Sequence, residues 1–185
     1  VKRTYLAEYA STRTHEAIVV GGTDELLTVF ATLGESELFL ATALGMCIRF
    51  PEGEISLQGR KSGGMKGISL DMDDMVVAAE LINSNHGEVL TISETGWAKR
   101  SVLEEYKTQG RAGKGIAIMK LDNKKGTGAL AAVKILQVEK QVFVCQSQGG
   151  VTRVEVGEIP LEARVKTGKP VVDVLLNDYI TKVLE

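Results

Sequence analysis

Reactive side chains are scarce in this sequence. Its 185 residues hold two histidines and two cysteines. His15 and His86 stand alone in loop-like stretches, with no ligand cluster around either, and both read as solvated. Cys47 and Cys145 lie far apart, each in an apolar stretch (MCIRF and VFVCQ), without C-x-x-C spacing. They read as free, buried thiols in a reducing compartment. Neither G-x-S-x-G nor H-E-x-x-H occurs, which removes two common hydrolase signatures. The acidic pairs Asp73-Asp74 and Glu104-Glu105 are sequence neighbours, and neighbours on a strand or loop point apart. They suit solvated turns better than general acid–base work. With no catalytic constellation left, the chain is expected to be non-catalytic.

Long apolar runs are missing as well. No run approaches the ~18 residues that cross a bilayer, and no signal peptide is present, so a cytoplasmic protein without a membrane partner is expected. An excess of charge of one sign is also lacking: 22 basic against 24 acidic residues give a net charge of -2. Bulk charge therefore points to no polyanion, and any basic site has to come from segregation of charge along the chain. No stretch of useful length carries a helical period.

What the sequence does have is repetition. LFLATALGMCIRFPEGEISLQGR (38–60), VLTISETGWAKRSVLEEYKTQGR (89–111) and VFVCQSQGGVTRVEVGEIPLEAR (142–164) share one layout. Arg49, Arg100 and Arg153 each precede a glutamate (Glu54, Glu105, Glu158) by five residues, and that glutamate precedes Arg60, Arg111 or Arg164 by six. Gly45, Gly96 and Gly149 each stand four residues before the first arginine. Arg3 and Glu8 extend the register to the N-terminus, with Arg13 one residue out of step. Several short strands per unit, at a period of about 50 residues, indicate a propeller-like array of blades. The 44% apolar fraction is enough for a real core.

Four units are expected, at 1–32, 38–82, 89–136 and 142–185, in a single all-β domain of about four four-stranded blades. In the second unit the strands read as 38–42, 46–50, 67–70 and 76–81, the first two closed by a turn at Leu44-Gly45. The first unit lacks its first strand. A chain that opens on Val in mid-unit is expected to be a fragment of a longer subunit.

Cations recur in the long connection between strands two and three. The second unit has Arg49, Arg60, Lys61 and Lys66 there, the third Lys99, Arg100, Arg111 and Lys114, and the fourth Arg153, Arg164, Lys166 and Lys169. Lys2, Arg3 and Arg13 are their counterparts in the first. Equivalent loops of successive blades fall at equivalent places on a rim, so these residues are candidate phosphate contacts for a polyanion that bends around the array. The turns before strand four are acidic or neutral: Asp24-Glu25, Asp71 to Asp74, Asn177-Asp178.

The stretch TQGRAGKGIAI (108–118) is the most loop-like of these connections. It lacks the spacing of a P-loop, in which Ser or Thr follows the lysine, and no helix follows to hold a phosphate at its N-terminus. Trp97 and Tyr106, which could stack on a base, are read as blade-core or rim contacts.

GWAKRSVLEEYKTQGRAGKGI, ALGMCIRFPEGEISLQGRKSGGMKGISL, VKRTYLAEYASTR and GGVTRVEVGEIPLEARVKTGKPVVDVL together resemble successive repeats of the C-terminal domain of the DNA gyrase A subunit; the topoisomerase IV A subunit is the close relative. The resemblance covers essentially the whole chain. It implies a β-pinwheel, a propeller-like disc whose blades exchange strands, with a basic rim that binds and wraps DNA. It implies ATP-dependent negative supercoiling by the full enzyme, which also comprises the gyrase B subunit. The rest of the A subunit belongs to that enzyme too. The resemblance places ATP, Mg²⁺ and the cleaving tyrosine elsewhere, so no cofactor or metal is implied for this domain. The family carries a box, QRRGGKG, in its first blade. Its nearest match here is 109–115 (QGRAGKG), five of seven positions, which adds Gln109 to the candidate contacts. The chain is thus expected to hold later blades, and the isolated domain to be a monomer. A protein-interaction propeller is the reading from a different class.

Overall fold

The computed structural model describes residues 1–10, 14 and 16–185; Arg13 and His15 lie outside the described residues. Three antiparallel sheets follow one another along the chain. The first is built on β1 (Glu37–Thr42), β2 (Met46–Pro51) and β3 (Val76–Ile82). The second uses β4 (Glu88–Ser93), β5 (Trp97–Val102) and, after a two-residue β6 (Ile116–Ala117), β7 (Leu130–Leu136). The third uses β8 (Gln141–Gln146), β9 (Val151–Glu155) and, after a two-residue β10 (Lys169–Pro170), β11 (Ile180–Leu184). Aliphatic residues fill the strands, and each first hairpin turns on a glycine in the left-handed region, as at Gly45 (φ 80) and Gly96 (φ 81). The all-β pinwheel expected from the repeats is the observed architecture, with 3₁₀ turns as its helical content.

In the third and fourth units the third strand joins the preceding unit's sheet. β6 pairs with β2 of the preceding unit (Cys47 opposite Ile116), and β10 pairs with β5 (Ala98 opposite Lys169). Sheet order is therefore β3-β1-β2-β6 and β10-β5-β4-β7. Residues 67–70, read from the sequence as a strand, form none; the paired segment lies just before them. Val1 and Met65 exchange backbone hydrogen bonds, each 2.8 Å.

The first unit departs furthest from expectation. Its described residues form a 3₁₀ turn, Leu6–Tyr9, and a single parallel bridge from Arg3 to Leu57, with no strand. The reason is pairing. In the other units a fourth strand pairs with the first strand of its own unit, and in the third and fourth units a third strand pairs with the second strand of the unit before. Neither partner exists for AIVV (17–20) or LLTVFATL (26–33) among the described residues.

The core lies between sheets. Because side chains alternate along a strand, the first and second sheets bury residues on both faces. Phe39, Ala41 and Cys47 meet Val89, Leu103, Tyr106 and Ile118 between the first and second sheets. Leu90, Ile92 and Ala98 meet Val142, Val144 and Val154 between the second and third. Tyr106 stands edge-on to Phe39, ring centroids 5.2 Å apart, and is buried, whereas Trp97 packs half-buried against the same core. Neither cysteine is disulfide-bonded: Cys47 is buried, its thiol pKa pushed up to about 12 by burial, and Cys145 is half-buried.

A candidate nucleic-acid interface

The recurring Arg–Glu–Arg register proves to be the stitching between blades. A single 3₁₀ turn follows the second strand of each unit, at Glu52–Glu54, Leu103–Glu105 and Val156–Glu158, and the glutamate of the register ends it. From there Glu54 accepts the backbone N–H of Arg111 at 2.7 Å, and Glu105 that of Arg164 at 2.7 Å. The second arginine then reaches back. Arg111 donates through Nη1 to the carbonyl of Lys66 (2.6 Å), and Arg164 donates to that of Ala117. Each step joins one unit to the next.

The first arginines face inward. Arg49 is 6% exposed, paired with Glu37, and bonded to the side chain of Asn85 and the carbonyl of Tyr106. Arg100 pairs with Glu88 and donates to the carbonyl of Ile159 at 3.0 Å. Charged pairs hydrogen-bonded in this way are held against loss of their partners, so neither guanidinium is presented to a rim. Lys99 is 0% exposed, its ammonium donating to Ser101 (3.1 Å), whose hydroxyl meets that of Tyr106 at 2.6 Å. The expectation that Arg49, Lys99 and Arg100 contact phosphate therefore gives way to structural roles.

Lys99 gives a measurable consequence. Burial lowers its pKa from 10.5 to about 8, against the pull of Glu105 and Glu162. The folded form thus releases its proton first, so stability rises with pH between about 8 and 10.5, where the unfolded chain still binds the proton. Denaturant unfolding across that window should show wild type gaining on the order of 3 kcal/mol relative to Lys99→Met. Parallel profiles for the two proteins would show that Lys99 is not held in this low-dielectric site.

Other candidates remain accessible. Lys61, Lys66, Lys166 and Lys169 are exposed. Lys114 is exposed and pairs with Asp71 at 2.6 Å, and Arg153 is exposed and pairs with Glu155 at 3.0 Å. Exposed pairs of this kind are worth at most about 1 kcal/mol, which a phosphate can replace. Gln109, Arg60, Arg111 and Arg164 are half-buried. Lys2 turns its ammonium to the carbonyls of Arg60 and Ala17, and Arg3 is half-buried with its Nε enclosed.

Backbone contacts bring the accessible lysines together. Ala112 N–H donates to Gly67 O (2.7 Å), and Ser69 N–H to Gly113 O (2.9 Å), so QGRAGKG lies along the Lys66 segment of the preceding unit. Lys120 N–H donates to Lys166 O (3.3 Å), which continues the contact into the fourth unit. The connections thus form one succession, unit by unit.

The glycines of QGRAGKG divide into two kinds. Gly115 has φ +74, and a Cβ there would lie 2.1 Å from the Cys47 carbonyl oxygen. Gly168 repeats this against Ala98 (2.3 Å), so this glycine serves strand exchange. A Cβ at Gly110 would meet nothing within 4 Å. Sequence reasoning missed Lys124 and Lys125, both exposed on the turn before β7. The signal was present as DNKKG, which breaks the rule of acidic or neutral turns. Lys125 sits over the Trp97 ring, 5.5 Å from its centroid. Among the described residues no three His, Cys, Asp or Glu side chains converge as a metal site requires, and no helix is long and apolar enough to cross a membrane.

Comparison with known proteins fits this geometry. The DNA gyrase A subunit of Ureaplasma parvum serovar 3 is 33% identical over 171 residues, 91% of this chain and 20% of that protein. The DNA topoisomerase 4 A subunit of Bacillus subtilis is 32% identical over 171 residues, 91% of this chain and 21% of that protein. The chain thus spans about a fifth of the length of these relatives. The crystal structure of the C-terminal domain of a DNA topoisomerase IV superposes with a TM-score of 0.91 at 26% identity, covering 98% of this chain and 57% of that one. The family described as DNA gyrase C-terminal domain, beta-propeller, matches residues 36–83 and 87–136, which hold every strand of the first two sheets but β10 and make up more than half of the chain. On that match the chain belongs to the DNA gyrase C-terminal domain family.

Proposed function

We propose that this chain binds double-stranded DNA without sequence preference and bends it along its rim, as part of a gyrase A subunit. The carrying observation is the succession of accessible lysines on interlocked connections: Lys61 and Lys66, then Lys114, then Lys166 and Lys169. Such contacts hold a backbone in register and carry no base information. Several of them must offset the cost of bending a duplex, which is a few kcal/mol for a short site. In the full enzyme the wrapped segment would support ATP-dependent negative supercoiling in the cytoplasm. ATP hydrolysis and strand cleavage would come from the gyrase B subunit together with the rest of the A subunit.

Relaxing a plasmid with a nicking-closing enzyme in the presence of this chain tests the reading. Linking number should shift in proportion to bound protein, and the shift should vanish in the Lys61→Glu, Lys66→Glu, Lys114→Glu triple variant. No shift at saturating protein would sink the wrapping claim. The TM-score of 0.91 supports a second reading, the topoisomerase IV A subunit. An enzyme assembled around the intact parent subunit that relaxes DNA without introducing negative supercoils would favour that alternative.

A further inference from the structure

The junction between the third and fourth units holds a charge pair where the preceding junction is neutral. Lys99 stands in β5 where β2 has Ile48, and Glu162 stands in the fourth unit's connection where the third unit's has Gln109. Hydrogen bonds fix the equivalence: Gln109 N–H donates to the Arg49 carbonyl at 2.7 Å, and Glu162 N–H to that of Arg100 at 2.8 Å. Ser101 and Tyr106 likewise replace Phe50 and Ile55. The second unit thus fills this layer with three buried apolar side chains, whereas the third places an ammonium and two hydroxyls there. Burying an ammonium is costly, and the apolar trio packs the same layer without it. Lys2, the counterpart in the first unit, turns instead to the carbonyls of Arg60 and Ala17.

The Lys99 side chain lies beneath the connection that carries Lys166 and Lys169. A Cβ at Gly168 would sit 3.1 Å from the Lys99 Cβ, so this backbone rests on the lysine's stem. Gly168 N–H donates to Glu162 Oε2 at 3.2 Å, and Arg164 N–H to Glu105 Oε2 at 2.7 Å. Both carboxylates are half-buried, and both attract the Lys99 ammonium. Arg164 supplies the second positive charge, its guanidinium held by the Ala117 carbonyl. Two carboxylates are thus balanced by two cations. With the ammonium withdrawn, Arg164 alone faces both, and their mutual repulsion drives them toward solvent, away from the two amides.

We infer that Lys99 is a positioning residue for the proposed DNA-binding rim: through Glu105 and Glu162 its ammonium holds residues 162–169 in the form that presents Lys166 and Lys169 to phosphate, and rising pH releases that segment. The inference rests on the DNA-binding reading above. Facing Lys99 are Ser101 and Tyr106 of its own unit, Cys47 of β2, and the charged groups of Glu105, Glu162 and Arg164. Burial pushes the Cys47 thiol up to about 12 and raises the Tyr106 hydroxyl as well, so both stay neutral while Lys99, lowered to about 8, loses its charge. Affinity for DNA therefore falls as pH rises. Lys166 and Lys169 remain on the released segment, so the number of phosphate contacts and the salt slope stay the same. What changes is that binding has to order the segment.

Binding to a ~40-bp duplex at fixed ionic strength, followed from about pH 7 to about pH 9.5, tests the role. Wild type should lose affinity about fivefold across that range. Lys99→Met should start about fivefold weaker and lack this loss. Changes due to other groups, the Val1 amine included, are common to both proteins and drop out of the comparison. Glu162→Gln keeps an acceptor for Gly168 but removes one attraction on the ammonium, so its midpoint should move to lower pH. Hydrogen exchange in the free chain at about pH 7 reads the segment without DNA: the Arg164 and Gly168 amides should exchange about fivefold faster in Lys99→Met. The Arg111 amide, held by Glu54 at the preceding junction, should keep its rate. No DNA binding by either protein removes the DNA reading and this role with it. Wild-type binding whose pH profile matches that of Lys99→Met, an unmoved midpoint in Glu162→Gln, or Arg164 and Gly168 amides that exchange alike in wild type and Lys99→Met would each overturn the inference alone.

Discussion

Raising salt from about 50 to about 200 mM should lower the affinity of this chain for a ~40-bp duplex by nearly four orders of magnitude, the fall expected for about seven phosphate contacts. The count comes from the accessible cations on the interlocked connections, five lysines from Lys61 to Lys169, together with Lys124 and Lys125 on the adjoining turn. Net charge is -2, so the dependence has to arise from local release of counterions and not from attraction to the whole molecule. Replacing one contacting lysine by Gln should flatten the slope of log affinity against log salt by about 0.9. Lys114→Gln and Lys66→Gln are the variants of choice. Lys99→Met provides the internal contrast: the residue lies in the same stretch of sequence but is buried, so its slope should match wild type. A flat salt profile for wild type would remove DNA and leave the protein-interaction reading.

That contrast also locates the limit of sequence reading. The blades were legible because each hairpin repeats Gly45, Gly96 or Gly149 at fixed distance from an arginine, and because no helical period competes. Local signals sufficed for strands that pair with their sequence neighbours. The exchange of β6 and β10 was illegible in the residues themselves, since it joins segments about 70 residues apart and leaves two-residue strands. The register of arginines was read correctly as a repeat, but two of its first arginines, Arg49 and Arg100, face inward and not onto a surface. A guanidinium on a strand next to a loop looks solvated until its carboxylate is found. The clue was the constant spacing of twelve from Glu37 to Arg49 and from Glu88 to Arg100, broken only where Gln141 precedes an exposed Arg153. Fixed register in a repeat protein selects first for contacts between repeats. The lysines around it, less regular in spacing, are what the array leaves facing solvent.

Gly115→Ala should destabilise the chain by about 4 kcal/mol, a large share of the roughly 5–15 kcal/mol that holds an ordinary domain together. Two effects add. The residue has φ +74, where a side chain costs about 1 kcal/mol or more. The added methyl would also stand 2.1 Å from the Cys47 carbonyl oxygen. That oxygen belongs to a central strand that cannot retreat, because Cys47 also pairs with Ala41. Relief therefore requires β6 to leave the first sheet, taking with it the anchorage of Ile118 and Met119 in the core between sheets. Gly110→Ala, five residues earlier in the same loop, meets nothing within 4 Å and should cost no more than about 0.5 kcal/mol. Urea unfolding midpoints of the two variants measure the difference, and a Gly115→Ala protein as stable as wild type would refute strand exchange at this point. The pair also divides the box by role. If the loop approaches a phosphate backbone closely, Gly110→Ala should weaken DNA binding at unchanged stability, whereas Gly115→Ala should lose both together.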